Sequence, residues 1–381
     1  MKRKILYITG SRADYGLMHS TLKKIDSNPN LDLEIIVTGM HIMKEFGMTI
    51  NEIKKDNFKI HVINCIYKKD NKESMAFFIG DLIKNLVDTI NKAKPDILLL
   101  LGDRGEMLAG AIVGTYLSIP VAHVHGGEIT GNVDESTRHA ITKLSNIHFA
   151  ATEKSARRII RMGENPKFVF NVGAPGLDDI LNNPIIEPGL ISDKYGIDFS
   201  EPLILVIQHP VTSESNEAPN QILQTLNAIK ELKYQSIVIY PNCDAGGRKM
   251  IDVIKSYKHD KKIKIFDNIP RSDYLSILKK SSLIIGNSSS AIIEAPSLKV
   301  PVINIGSRQQ KRERSKYIID VDCNKESIKK TIKYVLNDIE FKRSMKHLRN
   351  PYGDGRSGDR IVRILSEIEI NNDLITKQFL D

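Results

Sequence analysis

The sequence predicts an α/β protein of two doubly wound, Rossmann-like domains that face a central cleft. Three observations predict it. Short leucine-rich or β-branched runs alternate with helical patterns along the chain. The alternation stops once and then restarts. The 381 residues exceed one domain of ordinary size.

The first run, KILYITG (4–10), is apolar on both faces, as a parallel strand covered by helices must be. A helix follows from about Asp14. LDLEIIVTG (31–39), DILLLLGD (96–103), PVAHVH (120–125) and IHFAAT (147–152) continue the strands, with RGEMLAGAIVGTYL (104–117) among the helices between them. Residues 181–202 hold three prolines and little periodicity, and read as a linker. A second series then follows: LILVIQH (203–209), SIVIYPN (236–242), KIKIF (262–266), SLIIGN (282–287) and PVINIG (301–306), with helices such as SDYLSILKK (272–280) between. The expected division is residues 1–185 and 186–354, with a C-terminal helix of about 355–381 returning to the first domain.

Composition narrows the function. DILLLLG is the greasiest stretch, far short of the roughly 18 apolar residues of a membrane span. The apolar run near the N-terminus is too short for a signal peptide. A cytoplasmic protein without a membrane partner is expected. Three scattered cysteines form no C-x-x-C pair, so neither a disulfide framework nor a structural zinc site is expected. The net charge of +9 comes from dispersed Lys and Arg with no Trp, which favours a small anionic substrate over nucleic acid.

In such sheets ligands bind beyond the carboxyl ends of the strands. Arg12, Asp103, Arg104, His125 and Glu128 follow strands of the first series; His209, Asn242, Ser288 and Arg308 follow strands of the second. Ser288, Ser289 and Ser290 open a helix whose first amides suit a pyrophosphate, and Glu294 is placed to accept ribose hydroxyls. N-capping is the plainer role for one serine. GSRADYG (10–16) lacks both the dinucleotide fingerprint and a Walker lysine, so neither nicotinamide nor ATP hydrolysis is expected. Asp14 reads as a helix cap. His209, ending a strand before a proline, can donate to a phosphate.

HVHGGEITGNVDESTRH (123–139) concentrates titratable groups. His123 is expected to point into packing and His125 to emerge, and the Gly-Gly pair to let backbone pass close to a ligand. A metal is disfavoured, since no third ligand stands at a useful spacing. Asp134 can cap the helix that follows, and Glu135 can pair with Arg138 or His139 on it. Asp103 with Glu106 has a capping-box spacing, which competes with a catalytic role. Glu128 has no evident structural task.

TGSRADYG, VTGMH, LGDR, HVHGGEITGNVDESTRHAITKL, QHPVT, YPNCDAG, GNSSSAIIEAP and GSRQ stand in this order along nearly the whole chain. In these stretches the sequence resembles the hydrolysing UDP-N-acetylglucosamine 2-epimerases of sialic-acid-type pathways. The resemblance implies the GT-B fold, a UDP-sugar substrate, no cofactor, and a homodimer or homotetramer. It implies elimination of UDP with loss of the C2 proton, then hydration of the 2-acetamidoglycal to free N-acetylmannosamine. By motif, Arg12, Arg104, His209, Asn242, Ser288, Ser289, Glu294 and Arg308 are the substrate-binding set, and Asp103, His125, Glu128 and Asp134 the proton-transfer cluster. His125 stands where many relatives carry Glu, so the C2 base is left open among the four. The alternatives are the same chemistry on UDP-2,4-diacetamido-2,4,6-trideoxyglucose, on the way to legionaminic acid, a non-hydrolysing epimerase, a GT-B glycosyltransferase, or a UDP-sugar sensor.

Overall fold

The computed structural model describes residues 2–378 except 131–132, 185 and 346–347. Seven strands form the first sheet: β1 (Arg3–Thr9), β2 (Leu31–Val37), β3 (Lys59–Val62), β4 (Ile97–Leu101), β5 (Val121–Val124), β6 (Ile147–Ala150) and β7 (Val169–Asn171). Six form the second: β8 (Leu203–Ile207), β9 (Gln235–Ile239), β10 (Ile263–Phe266), β11 (Leu283–Gly286), β12 (Val302–Ile305) and β13 (Ile318–Val321). The orders are β3-β2-β1-β4-β5-β6-β7 and β10-β9-β8-β11-β12-β13. All the pairings are parallel. These are the two doubly wound sheets the sequence predicts. Strand order reverses between β1 and β4 and between β8 and β11, which opens a crevice at each carboxyl edge.

The apolar runs become strands because both faces are covered. In β1, Ile5 and Tyr7 join one core cluster while Leu6 and Ile8 join another on the opposite face. β3, β7 and β13 have no counterpart among the expected strands. They are three or four residues long, lie at sheet edges and are half exposed, so they show no apolar run.

The expected linker needs correction, because it contains the helix Pro188–Tyr195. Pro188 opens that helix where a missing N–H costs nothing, and Gly196 ends it with a left-handed φ of 62°. Ile191 and Tyr195 are buried in the core of the second domain. Eight residues are too few to display a 3.6-residue period. The last long helix, Ser357–Glu367, is shorter than expected; it packs Ile361 and Leu365 against the first sheet beside Ile5 and Leu22. Asp178 holds its start, accepting the Ser357 and Gly358 amides at 2.9 and 2.7 Å. Among the described residues no helix is long and apolar enough to cross a membrane.

Candidate active site

The carboxyl ends of both sheets line one cleft with two connected compartments. Asp103, His125, Asp134 and Arg138 from the first domain face Asn242, Arg308, Gln309 and Arg312 from the second across one compartment. Tyr15, Arg271, Tyr274 and Glu294 line the other. Arg12, His209, Ser288 and Ser289 border both. Glu128 alone among the expected site residues is absent from these walls.

Glu128 lies behind His125 and has two structural tasks. Its Oε1 is 2.7 Å from His125 Nδ1, and its Oε2 is 2.6 Å from Arg312 Nη2. The three side chains belong to residues 5 %, 3 % and 6 % exposed, in the order His125, Glu128, Arg312. Burial alone would raise the Glu128 pKa, but Arg312 and His125 outweigh it and hold the carboxyl well below its ordinary range. An ionised carboxylate only accepts, so His125 donates to it from Nδ1, and in the neutral imidazole the lone pair is on Nε2. Among the described residues that Nε2 has no hydrogen-bond partner. His125 follows β5 with a left-handed φ of 65°, a conformation uncommon for a non-glycine residue and concentrated at functional sites.

The Gly-Gly pair serves the protein rather than a ligand, contrary to expectation. A Cβ at Gly126 would meet His123 Nδ1 at 2.9 Å, and one at Gly127 would meet the Ser155 carbonyl at 2.5 Å. His123 is packed as expected: its Nε2 is 2.7 Å from the Gly102 carbonyl, and burial lowers its pKa to about 3.

Asp103 does not cap a helix. Helix Gly105–Tyr116 has Arg104 at its N-cap and no side-chain cap bond. Glu106 turns inward instead, accepting the Tyr67 hydroxyl at 3.0 Å. Asp103 is bonded to Arg138 Nη2. Asp134 lies within the first turn of helix Val133–Leu144, not ahead of it. Burial, reinforced by the charge of Asp103, pushes its carboxyl up to about 6. Arg308 Nη2 reaches it at 3.5 Å from the other domain. Glu135 keeps a structural role, accepting the Thr130 amide at 2.8 Å and lying 4.0 Å from His139.

On the opposite wall Ser288 caps helix Ser289–Ile293, accepting the Ser290 amide at 3.3 Å. His209 Nδ1 accepts the Asn242 amide at 3.1 Å, which leaves an Nε2–H to donate. Burial, with help from Arg308, Arg12 and Arg104, holds His209 neutral. Arg12 and Arg308 are partly committed, to Asn268 at 2.7 Å and to the Asn287 carbonyl at 3.2 Å. Arg104 is held by Glu106 at 3.3 Å and Asp244 at 3.6 Å. Glu294 is fully buried and paired with Arg271 Nη2 at 2.5 Å. Ser290 also donates to Glu294, so of the three serines it turns away from the shared border. Asp14 completes a capping box led by Ser11, as the partner and not the cap. Among the described residues no three His, Cys, Asp or Glu side chains converge as a metal site.

Sequence reasoning missed Arg138, Arg271 and Arg312. Arg312 is one of four basic residues in Arg308–Arg314, and Arg138 reads as a surface partner of Glu135. Only the tertiary fold buries them beside carboxylates.

Two doubly wound domains that close a cleft between carboxylates and imidazole on one side and a seryl helix start with arginines on the other define a GT-B enzyme of nucleotide-sugar type. The chain belongs to the UDP-N-acetylglucosamine 2-epimerase family, whose model matches residues 23–366. It is 42 % identical to the UDP-N,N'-diacetylbacillosamine 2-epimerase (hydrolyzing) of Legionella pneumophila, over 99 % of each chain. It is 35 % identical to the UDP-N-acetylglucosamine 2-epimerase of Neisseria meningitidis, over 100 % of this chain and 99 % of the relative. A crystal structure of UDP-GlcNAc 2-epimerase from Neisseria meningitidis bound to UDP-GlcNAc superposes with a TM-score of 0.80 at 21 % identity, covering 95 % of this chain and 99 % of that one. The chain is thus an enzyme of the hydrolysing UDP-sugar 2-epimerase class.

Proposed function

We propose that the enzyme releases UDP from a UDP-2-acetamido sugar and hydrates the glycal to the free C2 epimer. One observation carries this reading: a buried imidazole whose Nε2 has no partner among the described residues shares a compartment with the seryl helix start and Arg308. His125 Nε2 takes the C2 proton. The C2–H electrons form the C1=C2 bond, and the C1–O bond to the β-phosphate breaks with its electrons leaving on UDP. Ser288, Ser289, Arg12, Arg308 and the Nε2–H of His209 stabilise that charge. Glu294, oriented by Arg271, accepts the ribose hydroxyls, with the nucleoside in the second compartment. Water then adds hydroxyl to C1 and a proton to C2 from the opposite face. Asp134, set against Asp103 and Arg138, is the protonated acid of the site. Glu128 orients His125 and exchanges no proton itself.

Two observations favour UDP-N,N'-diacetylbacillosamine, the 2,4-diacetamido-trideoxy sugar, as the substrate. The Legionella relative shares 42 % of its residues with the chain. Met40, Phe46 and Leu101 line the first compartment, an apolar setting suited to a 6-methyl and a second acetyl group. UDP-N-acetylglucosamine, the sequence-based first choice, is the second reading, supported by the Neisseria relative. Turnover of both nucleotides side by side in D₂O, followed by NMR, tests all of this. Free sugar with deuterium at C2 is expected, with the higher kcat/KM for the diacetamido substrate. A UDP-linked epimer would point to a non-hydrolysing enzyme, and binding without C2 exchange to a transferase or a sensor.

The raised Asp134 pKa gives a pH prediction. With a value of about 6, Asp134 is protonated below that pH and ionised above it. If its proton is needed, kcat/KM declines as pH rises through about 6. Asp134→Asn should lower the plateau by about 10²-fold and remove this limb. A limb that survives in Asp134→Asn assigns the titration to another group.

A further inference from the structure

Helix Gly247–Lys255 of the second domain starts without a cap of its own. Gly246 occupies the N-cap position, and no side chain of that segment bonds the first amides. The cap comes from the first domain. Asp70, between β3 and helix Lys72–Ala93, accepts the Gly246 amide at 2.8 Å and the Lys249 amide at 3.2 Å. A carboxylate there satisfies two of the amides a helix leaves unpaired and faces the positive end of its dipole.

The neighbouring contacts also cross the cleft. Arg248 Nε donates to Glu45 at 2.9 Å, and its Nη2 to the Tyr67 carbonyl at 2.9 Å. The turn just before Gly246 carries Asn242 and Asp244, bonded to each other at 2.6 Å. Asp244 lies 3.6 Å from Arg104 of the first domain. The Asn242 amide in turn fixes His209 Nδ1 at 3.1 Å. A capped helix start therefore holds the turn that sets the donor orientation of His209.

We infer that Asp70 is a positioning residue for the reaction: by capping a helix of the opposite domain it holds the 241–246 turn, with Asn242, against the first domain. The bond exists only while the cleft is closed. The closed, binding-competent fraction then depends on Asp70, although Asp70 lines neither compartment. The inference rests on the UDP-sugar reading for its kinetic readout alone.

The test compares wild type, Asp70→Ala and Asp70→Asn, with folding checked by thermal melts. Asp70→Ala should raise KM for the UDP-sugar and Kd for UDP together, about 3- to 20-fold, with kcat within about twofold. Asp70→Asn retains one side-chain oxygen, a good cap, and should recover most of the loss. X-ray scattering without nucleotide should give a larger radius of gyration for Asp70→Ala than for wild type. Unchanged KM and unchanged scattering, or an Asn variant as impaired as Ala, would overturn the inference. If wild-type protein fails to bind UDP, the substrate reading is wrong, and the scattering comparison still decides the role of Asp70.

Discussion

His125→Asn is expected to lower kcat about 10²–10⁴-fold while leaving the Kd for UDP within about twofold, because it removes the base and nothing that holds the nucleotide. Asn is the informative replacement. The φ of 65° at this position is one that Asn tolerates better than most residues, so the turn after β5 is preserved. A bulky or β-branched residue would add backbone strain and blur the result. The companion variant is Glu128→Gln. A carboxylate fixes the proton on Nδ1, but an amide also offers an N–H and lets the imidazole place its proton on Nε2, where it blocks base action. Glu128→Gln should therefore lose turnover with the imidazole still in place. Release of UDP in a single turnover and deuterium entry at C2 are the measurements. If His125→Asn keeps more than about a tenth of wild-type kcat, a carboxylate such as Asp103 removes the C2 proton and His125 only lines the cleft.

The elements that were legible in the sequence are those whose signal is local. β1, β4 and β8 are apolar on every face because helices cover both sides of each sheet, and that composition is visible residue by residue. The polar positions just beyond those strands were legible for the same reason, since topology sends them all to one edge. What stayed hidden depends on pairing across the fold. Asp103 and Glu106 have the spacing of a capping box, yet Arg138 claims Asp103 from a helix 35 residues away. Glu128 lacked a task until Arg312, from the other domain, was placed against it. The edge strand β13 was hidden because one face of it is wet. Periodicity reports which faces are covered; it carries no information on which buried charges meet.

The second large effect concerns that hidden pair. Arg312→Met is expected to cost about 3–5 kcal/mol of stability, because it leaves Glu128 buried without its cation. Methionine fills much of the space, so the loss reports charge and not a cavity. In wild type the folded pKa of Glu128 lies below its unfolded value of about 4.3. Its contribution is therefore fully present at neutral pH and fades only as pH falls through the folded value. In Arg312→Met, burial is no longer outweighed by the guanidinium, and the folded pKa moves above the unfolded one. A group of that kind stabilises the fold increasingly as pH falls. The gap between wild type and variant should narrow between pH 7.5 and pH 5.5, measured by urea unfolding. Adding Glu128→Gln to Arg312→Met should restore most of the stability, since no buried charge is then left alone, but not the turnover, since His125 has lost the carboxylate that sets its tautomer. A stability gap independent of pH over this range would mean that Glu128 stays ionised in the variant, held by His125 and Arg138 without Arg312.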